Sequence, residues 1–205
     1  MLNSLKQHWG LLFLWGIITG VLVGSLSFLF PMQYKAVSQV LIISRDRAGV
    51  DPYTQAKSAE RVGENLAEVI KTTDFYDKVM EGTAVQFDKD YWKNLSERKQ
   101  RKSWQRDVKP ETIYGTSLLR ITVFSGNRED ASNLCNAVVH TLTSRGWEYI
   151  GGDVVLKQVD KPLVSLLPAR PSVIVNFFAG FAIGFMLSAI WIIKYRTHKH
   201  WAKIG

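Results

Sequence analysis

Two stretches of apolar residues without charge lie near the two ends of the chain, and ordinary alternating polar and apolar sequence separates them. The first is apolar from about Leu11 to Phe30, and the second runs from Ser172 to Ile193. A helix rises about 1.5 Å per residue, so roughly 20 apolar residues cross a bilayer core about 30 Å thick. The pattern predicts transmembrane helices at residues 11–30 and 172–193, with one domain at residues 31–171 between them.

The charges outside the apolar stretches predict how the helices are oriented. Short flanks rich in Lys and Arg stay in the cytoplasm, whereas long domains cross largely regardless of their charge. We therefore expect a cytoplasmic N-terminus at residues 1–10, a basic cytoplasmic tail at residues 194–205 and an extracytoplasmic domain. The flanks carry five cations and no acid, namely Lys6, Lys194, Arg196, Lys199 and Lys203.

The division of charge between the flanks and the domain bears on the nature of the partners. The remaining 21 cations are set against all 18 acids of the chain, so the domain is close to neutral. This balance argues against a nucleic-acid partner, which the basic total of +8 would otherwise suggest.

The length of the first apolar stretch bears on whether it is cleaved. It exceeds the 7–15 apolar residues of a cleaved signal sequence, so we expect it to remain as an anchor.

Short patterns within the domain predict an alternation of strands and helices. A run of β-branched residues predicts a strand, and apolar residues at spacings near 3.6 predict helices. Asp51-Pro52, Thr73-Asp74 and Asn127 are the expected helix starts. In chain order, we predict a strand at 34–44, helices at 52–71 and 73–82, a partly helical segment at 88–109, a strand at 117–125, a helix at 127–149 and a strand at 153–160.

This order of elements predicts an α+β fold for the domain. One small mixed sheet, packed by helices on one face, accommodates it. The first strand follows the first span directly, and the last strand leads towards the second span. We therefore expect an α+β membrane protein in which both ends of the domain lie near the bilayer.

The order of features resembles that of the polysaccharide co-polymerases, also called Wzz or chain-length determinant proteins. The resemblance rests on the two terminal spans, the strand straight after the first span, and the stretch Gly115–Val123 before a helix that opens at Asn127. The proline-rich segment Val159–Pro171, followed by Gly180–Gly184, completes it. The resemblance implies an oligomer in the bacterial inner membrane that governs the chain length of O-antigen, capsule or exopolysaccharide. The partners that it implies are further copies of the chain, membrane lipids and the polymerase or export machinery.

The chain departs from the longer and the fused members of that family. Only residues 83–113 stand where longer members insert an extended helical hairpin, and no GxxxxGK[ST] phosphate loop occurs in the sequence. The resemblance is therefore to short forms without a fused kinase domain. Some of these are transmembrane modulators of a separate cytoplasmic tyrosine kinase, which is one alternative function. A second alternative, outside the family, is an extracytoplasmic sensor that reports a bound ligand to a partner.

Small residues recur at every fourth position of both apolar stretches. Such spacing lets helix backbones approach closely, and in lipid this packing drives helix association. The pattern predicts a helix–helix contact, and it leaves open whether the contact lies within one chain or between neighbouring chains. The residues are Gly16, Gly20 and Gly24 in the first stretch and Gly180, Gly184 and Ser188 in the second.

Three prolines precede the second apolar stretch. Proline fixes φ and removes a backbone donor, so Pro162, Pro168 and Pro171 predict an extended stem that leads back to the membrane. A simple linker is the alternative interpretation of the same residues.

Cations and aromatic residues are interleaved in the polar segment 89–109. One interpretation is contact with anionic lipid headgroups or an acidic glycan. The other is a solvated, partly helical surface, because acids lie among the cations. The residues that the first interpretation would use are Trp92, Arg98, Lys99, Arg101, Lys102 and Trp104.

The sequence contains poor candidates for catalysis or for binding a cofactor or metal. Cys135 is the single cysteine and lies on an apolar helix face, so we expect it to pack in the core. His140 accompanies no recognisable nucleophile motif. Glu60, Glu64 and Glu68 share a helix face opposite the apolar stripe and are expected to be solvated. We therefore predict a non-enzymatic protein without cofactor or metal.

Overall fold

The computed structural model describes residues 9–44, 52–150 and 154–201. The chain forms two compact units, of which one contains residues 1–32 and 169–205 and the other contains residues 33–168. In chain order the elements are α1 (Trp9–Leu26), a 3-10 turn (Ser27–Leu29), β1 (Tyr34–Ser44), α2 (Pro52–Ile70), α3 (Thr73–Glu81), α4 (Asp90–Lys93), α5 (Glu97–Asp107), β2 (Val108–Ile113), β3 (Leu118–Ser125), α6 (Arg128–Arg145), α7 (Trp147–Ile150), β4 (Val154–Gln158), β5 (Leu163–Val164) and α8 (Val173–Trp201).

Helices α1 and α8 make up the first unit. Within the part of the chain that the structure describes, two helical windows are long and apolar enough to cross a membrane, at Trp9–Leu29 and Val173–Lys194. Most large apolar side chains of these windows are exposed, as Leu22 and Ile190 illustrate. Burial within the protein therefore does not account for their apolar composition.

The second unit is an α+β domain built on one five-stranded sheet with the order β2-β3-β1-β4, in which β5 also pairs with β1. Tyr34 of β1 lies opposite Ser125 of β3, and Val40 of β1 lies opposite Gln158 of β4. The prediction of a mixed sheet is wrong, because every described pair of neighbouring strands is antiparallel. Strands β3 and β4 do run parallel to each other around the connecting helix α6, but β1 lies between them.

The core of the domain lies on one face of the sheet. Side chains alternate between the two faces along a strand, so every second residue of β1 and β3 points towards the helices. Helices α2 and α6 pack on this face with their own apolar stripes. The sheet residues buried there include Ala36, Val40, Ile42, Leu119, Ile121 and Val123.

Most of the predicted elements of the domain coincide with observed ones. The strand β1 has the predicted bounds, and the side chain of Asn127 accepts a hydrogen bond from the backbone N–H of Glu129 as an N-cap, at 3.2 Å. Helix α3 begins at Thr73, but its N-cap is Thr72 rather than the expected Thr73, because the Thr72 hydroxyl accepts the capping hydrogen bond from the Phe75 N–H at 3.3 Å. Helix α6 ends at Arg145, and the short helix α7 follows it. The predicted start at Asp51 lies outside the described residues.

Strand β2 is an element that the sequence pattern does not predict. Its sequence, Val-Lys-Pro-Glu-Thr-Ile, contains two charged residues and a proline, which is not typical of a strand. Pro110 is compatible with β2 because prolines in sheets are confined largely to edge strands, and β2 lies at the edge beside β3. Val108 and Thr112 face the core, so the strand closes one side of it.

The two tryptophans of the basic segment belong to the core, which corrects their assignment as contact residues. The exposed fraction is 4% for Trp92 and 1% for Trp104. The ring of Tyr76 lies 5.2 Å from that of Trp104 and 6.0 Å from that of Trp92. The Trp104 indole N–H donates a hydrogen bond to the carbonyl of Ile70 at 2.7 Å. A buried tryptophan needs a hydrogen-bond partner for its N–H, and Ile70 provides one. The rings of Trp92 and Trp104 therefore pack α4 and α5 against the end of α2 and against α3.

We expect Trp104→Phe to lower the free energy of unfolding by about 1–3 kcal/mol, because it leaves the Ile70 carbonyl without its donor in a buried position. The matched control is Trp147→Phe, since the Trp147 ring is 61% exposed and its loss should cost less than about 0.5 kcal/mol. Urea unfolding of the full chain in detergent, followed by near-ultraviolet circular dichroism, measures both. Equal losses in the two variants would contradict the core position of Trp104.

Candidate functional site

The two small-residue faces meet in the contact between α1 and α8. A Cβ atom at Gly16 would lie 2.8 Å from the ring of Phe181, and one at Gly180 would lie 2.7 Å from the Cβ of Val23. Both distances are shorter than ordinary carbon contacts, so a side chain at either position would force the helices apart. Gly20, Gly24 and Gly184 lie in the same contact, and Ser188 is buried on α8. The structure thus brings the two faces together within one chain.

Two polar side chains also join these apolar helices. The Thr19 hydroxyl lies 3.0 Å from the carbonyl oxygen of Gly180, within hydrogen-bond distance across the contact. The Asn176 side-chain amide donates to the hydroxyl of Ser27 at 2.8 Å. Polar groups in an apolar helix need such partners, because hydrocarbon offers none. Neither contact is predicted above, although a Thr and an Asn inside charge-free apolar stretches are visible in the sequence.

The proline-rich segment is partly a strand rather than a free stem. Pro162 directly precedes β5, which pairs with residues 36 and 37 of β1. The Ser165 N–H donates to the carbonyl of Lys35 at 2.8 Å, and the Lys35 N–H donates to the Ser165 hydroxyl at 3.0 Å. The start and the end of the domain therefore lie side by side. Pro168 and Pro171 stand between β5 and α8, and both are half-buried.

A basic cleft of about 470 Å³ lies between α5 and the turn that joins α2 to α3. Four cations line it, together with the acid Glu97 and with Thr72 and Thr73. Lys99 is exposed but is not among the lining residues, so the structure separates it from its neighbours on α5. The four cations are Arg98, Arg101 and Lys102 of α5 and Lys71 of the turn. No sequence signal links Lys71 to the others, since only the fold brings the turn beside α5.

A polar cluster joins α3 to α7 on another part of the domain. The ammonium group of Lys78 lies 2.6 Å from the Glu148 carboxylate, 2.9 Å from the Tyr149 hydroxyl and 3.1 Å from Asp74. The Tyr149 hydroxyl donates to Asp74, and this bond, followed by that from Lys78, holds the pKa of Asp74 below its usual value. The pKa of Lys78 is raised, chiefly by its bond to Glu148. The cluster stabilises the fold through charge-assisted hydrogen bonds.

The residues considered for catalysis do not form a reactive site. Burial raises the pKa of the Cys135 thiol to about 12, which makes it a poor nucleophile. His140 is exposed on α6. Glu60 is buried and pairs with Lys57 at 2.9 Å, so its predicted solvation is wrong, whereas Glu64 is exposed. The described residues include no group of three or more His, Cys, Asp or Glu that could hold a metal ion.

No protein-family model matches this chain, and no curated protein matches it in sequence. The resemblance to polysaccharide co-polymerases therefore rests on the order of features along the chain. The geometric features available to support a function are the α1–α8 contact, the adjacent ends of the domain and the basic cleft.

We expect Gly180→Leu to destabilise the contact between α1 and α8 by about 1–3 kcal/mol, because its side chain would overlap Val23 and the backbone of Thr19. The matched control is Ala182→Leu, which places the same side chain at an exposed position of α8. Thermal unfolding of the full chain in detergent measures both, and a control that melts as low as Gly180→Leu would contradict the packing role.

The polar cluster predicts how stability depends on pH. Because the folded pKa of Asp74 is lowered, its contribution is present above about pH 4 and is lost as the pH falls through the folded value. Because the folded pKa of Lys78 is raised, its contribution is present below about pH 10 and is lost at higher pH.

We therefore expect Tyr149→Phe to destabilise the chain more at pH 6 than at pH 2, since the hydrogen bond from the Tyr149 hydroxyl stabilises the Asp74 carboxylate only where Asp74 is ionised. Tyr114→Phe is the control, because Tyr114 is exposed. Urea unfolding at the two pH values measures the difference, and an equal loss at both would show that Asp74 is not involved.

Proposed function

We propose that this chain is a non-enzymatic, oligomeric membrane scaffold of the polysaccharide co-polymerase type, which regulates the chain length of a cell-surface polysaccharide. The observation that carries the proposal is the side-by-side start and end of the α+β domain, where residues 35 and 165 exchange hydrogen bonds. A domain whose two ends are adjacent suits attachment through two neighbouring membrane helices.

The composition of the flanks supports the location that this function requires. Two helices are long and apolar enough to cross a membrane, and the cations beside them favour cytoplasmic termini. We propose the bacterial inner membrane, with the domain on the extracytoplasmic side. The proposed partners are copies of the same chain and the machinery that polymerises or exports the polysaccharide.

The kinase-modulator alternative concerns the basic tail. Helix α8 continues to Trp201, beyond the apolar window that ends at Lys194. A helical, positively charged extension of this kind could present a docking surface to a cytoplasmic partner. The tail therefore has to be tested separately from the rest of the chain.

The proposal is tested by deleting the gene in its own bacterial host and measuring the polysaccharide by gel electrophoresis. We expect the length distribution to broaden or to shift, and the wild-type gene to restore it. Ala182→Leu should also restore the distribution, whereas Gly180→Leu should restore it less well because the helix contact is disturbed.

Two outcomes would favour the alternatives instead. An unchanged amount and length distribution after gene deletion would contradict the scaffold function and leave the sensor alternative. A chain that lacks residues 197–205 should still control polymer length if the scaffold acts alone. Loss of cellular tyrosine phosphorylation when residues 197–205 are deleted would favour the kinase modulator.

A further inference from the structure

We propose that the basic cleft between α5 and the turn before α3 binds the phosphate group of an anionic phospholipid headgroup. The inference goes beyond the scaffold function and does not rest on it, because lipid binding is measured on the purified chain and polymer length in cells.

Three of the four cations of the cleft lie on one face of α5. Arg98, Arg101 and Lys102 are spaced by three and four residues, which places them on neighbouring turns of the same helix face. Gln105 lies seven residues, or about two turns, after Arg98 on that face and also lines the cleft, and Lys71 lies on the opposite wall. Four cations thus converge on a space that contains the single acid Glu97 among its lining residues.

The three cations that α5 contributes to the cleft are available to bind a ligand. Their side chains form no hydrogen bond or ion pair with another residue in the part of the chain that the structure describes. Lys71, by contrast, pairs with Glu68 at 2.8 Å. Guanidinium and ammonium groups that converge without a carboxylate partner provide the donors that a phosphate oxygen accepts.

The C-terminal end of α5 lies beside the first residues of the domain. The buried Asp107, at the C-terminal end of α5, is within hydrogen-bond distance of the Gln33 side chain, at 3.4 Å. From Arg98 to Asp107, α5 rises only about 14 Å. The cations of the cleft are therefore carried by a helix that ends beside the start of the domain.

Exposed leucines at the same end of the domain support a lipid surface. Leu166 and Leu167 are 82% and 75% exposed, and they directly follow Ser165, which is bonded to Lys35. Surfaces that combine exposed apolar side chains with cations are typical of proteins that lie in the interface of a membrane.

The chemistry of the cleft favours a phosphate over a sugar. Sugars commonly stack on exposed aromatic rings, whereas the rings that line this cleft, Tyr76 and Trp104, are buried. The N-terminus of α3 is already capped by Thr72, so the cations supply the affinity for an anion. What the cleft exposes is positive charge, which attracts anionic headgroups and discriminates against zwitterionic ones.

The test measures lipid binding to the full chain in a neutral detergent by native mass spectrometry. The probes are phosphatidylglycerol and phosphatidylcholine with identical acyl chains. The cleft variant combines Arg98→Gln, Arg101→Gln and Lys102→Gln. The matched control combines Arg61→Gln, Lys99→Gln and Lys157→Gln, which removes the same charge from exposed positions outside the cleft.

We expect the wild-type chain to prefer phosphatidylglycerol, and the cleft variant to bind it at least about tenfold more weakly. The control should stay within about twofold of wild type, and phosphatidylcholine binding should not change. Equal binding of the two lipids by the wild type, or equal losses in the two variants, would overturn the proposal. Unchanged thermal unfolding of both variants verifies that each is folded.

Competition identifies the source of the phosphate group. Inorganic phosphate or a soluble oligogalacturonate, added at the concentration of the lipid, should not displace phosphatidylglycerol. Displacement by inorganic phosphate would assign the cleft to a free anion, and displacement by the oligosaccharide would assign it to an acidic glycan. Either result would overturn the assignment to a lipid.

Discussion

The hydrogen bonding of β1 on both of its edges is the constraint on which the rest of the domain depends. Strand β3 pairs with one edge, and β4 and β5 pair with the other. One face of the same strand buries Ala36, Val40 and Ile42 beneath α2 and α6. Because β5 pairs with the first residues of β1, the two ends of the domain are adjacent. A single strand therefore determines the sheet order, the position of the core and the place where the domain is attached.

The apolar helices pack by a different principle from the domain. Hydrophobic burial does not drive association between helices in lipid, so close van der Waals contact and a few polar pairs must do so. The missing Cβ atoms of Gly180 and Gly184 bring α8 close to Thr19, whose hydroxyl then reaches a backbone carbonyl. The two apolar helices and the domain are thus stabilised by distinct interactions within one chain.

Sequence patterns predicted the elements of this protein better than they predicted its site. The alternation in β1 and the N-cap at Asn127 are local signals, and both agree with the structure. Strand β2 was missed because its pairing with β3 compensates for the weak strand preference of a segment that contains Pro110. The basic segment looked like one mixed aromatic and cationic patch. Folding separates it, since Trp104 turns into the core and Arg98 remains exposed.

The sequence by itself determined the two apolar helices, the α+β domain between them and the small-residue faces, because each depends on composition or on spacing along the chain. The tertiary structure alone decided that the sheet is antiparallel, that the small-residue faces meet within one chain and that Lys71 lies across a cleft from α5. These features join residues far apart in sequence. Their contacts depend on how the elements pack, and local preferences carry no information about that.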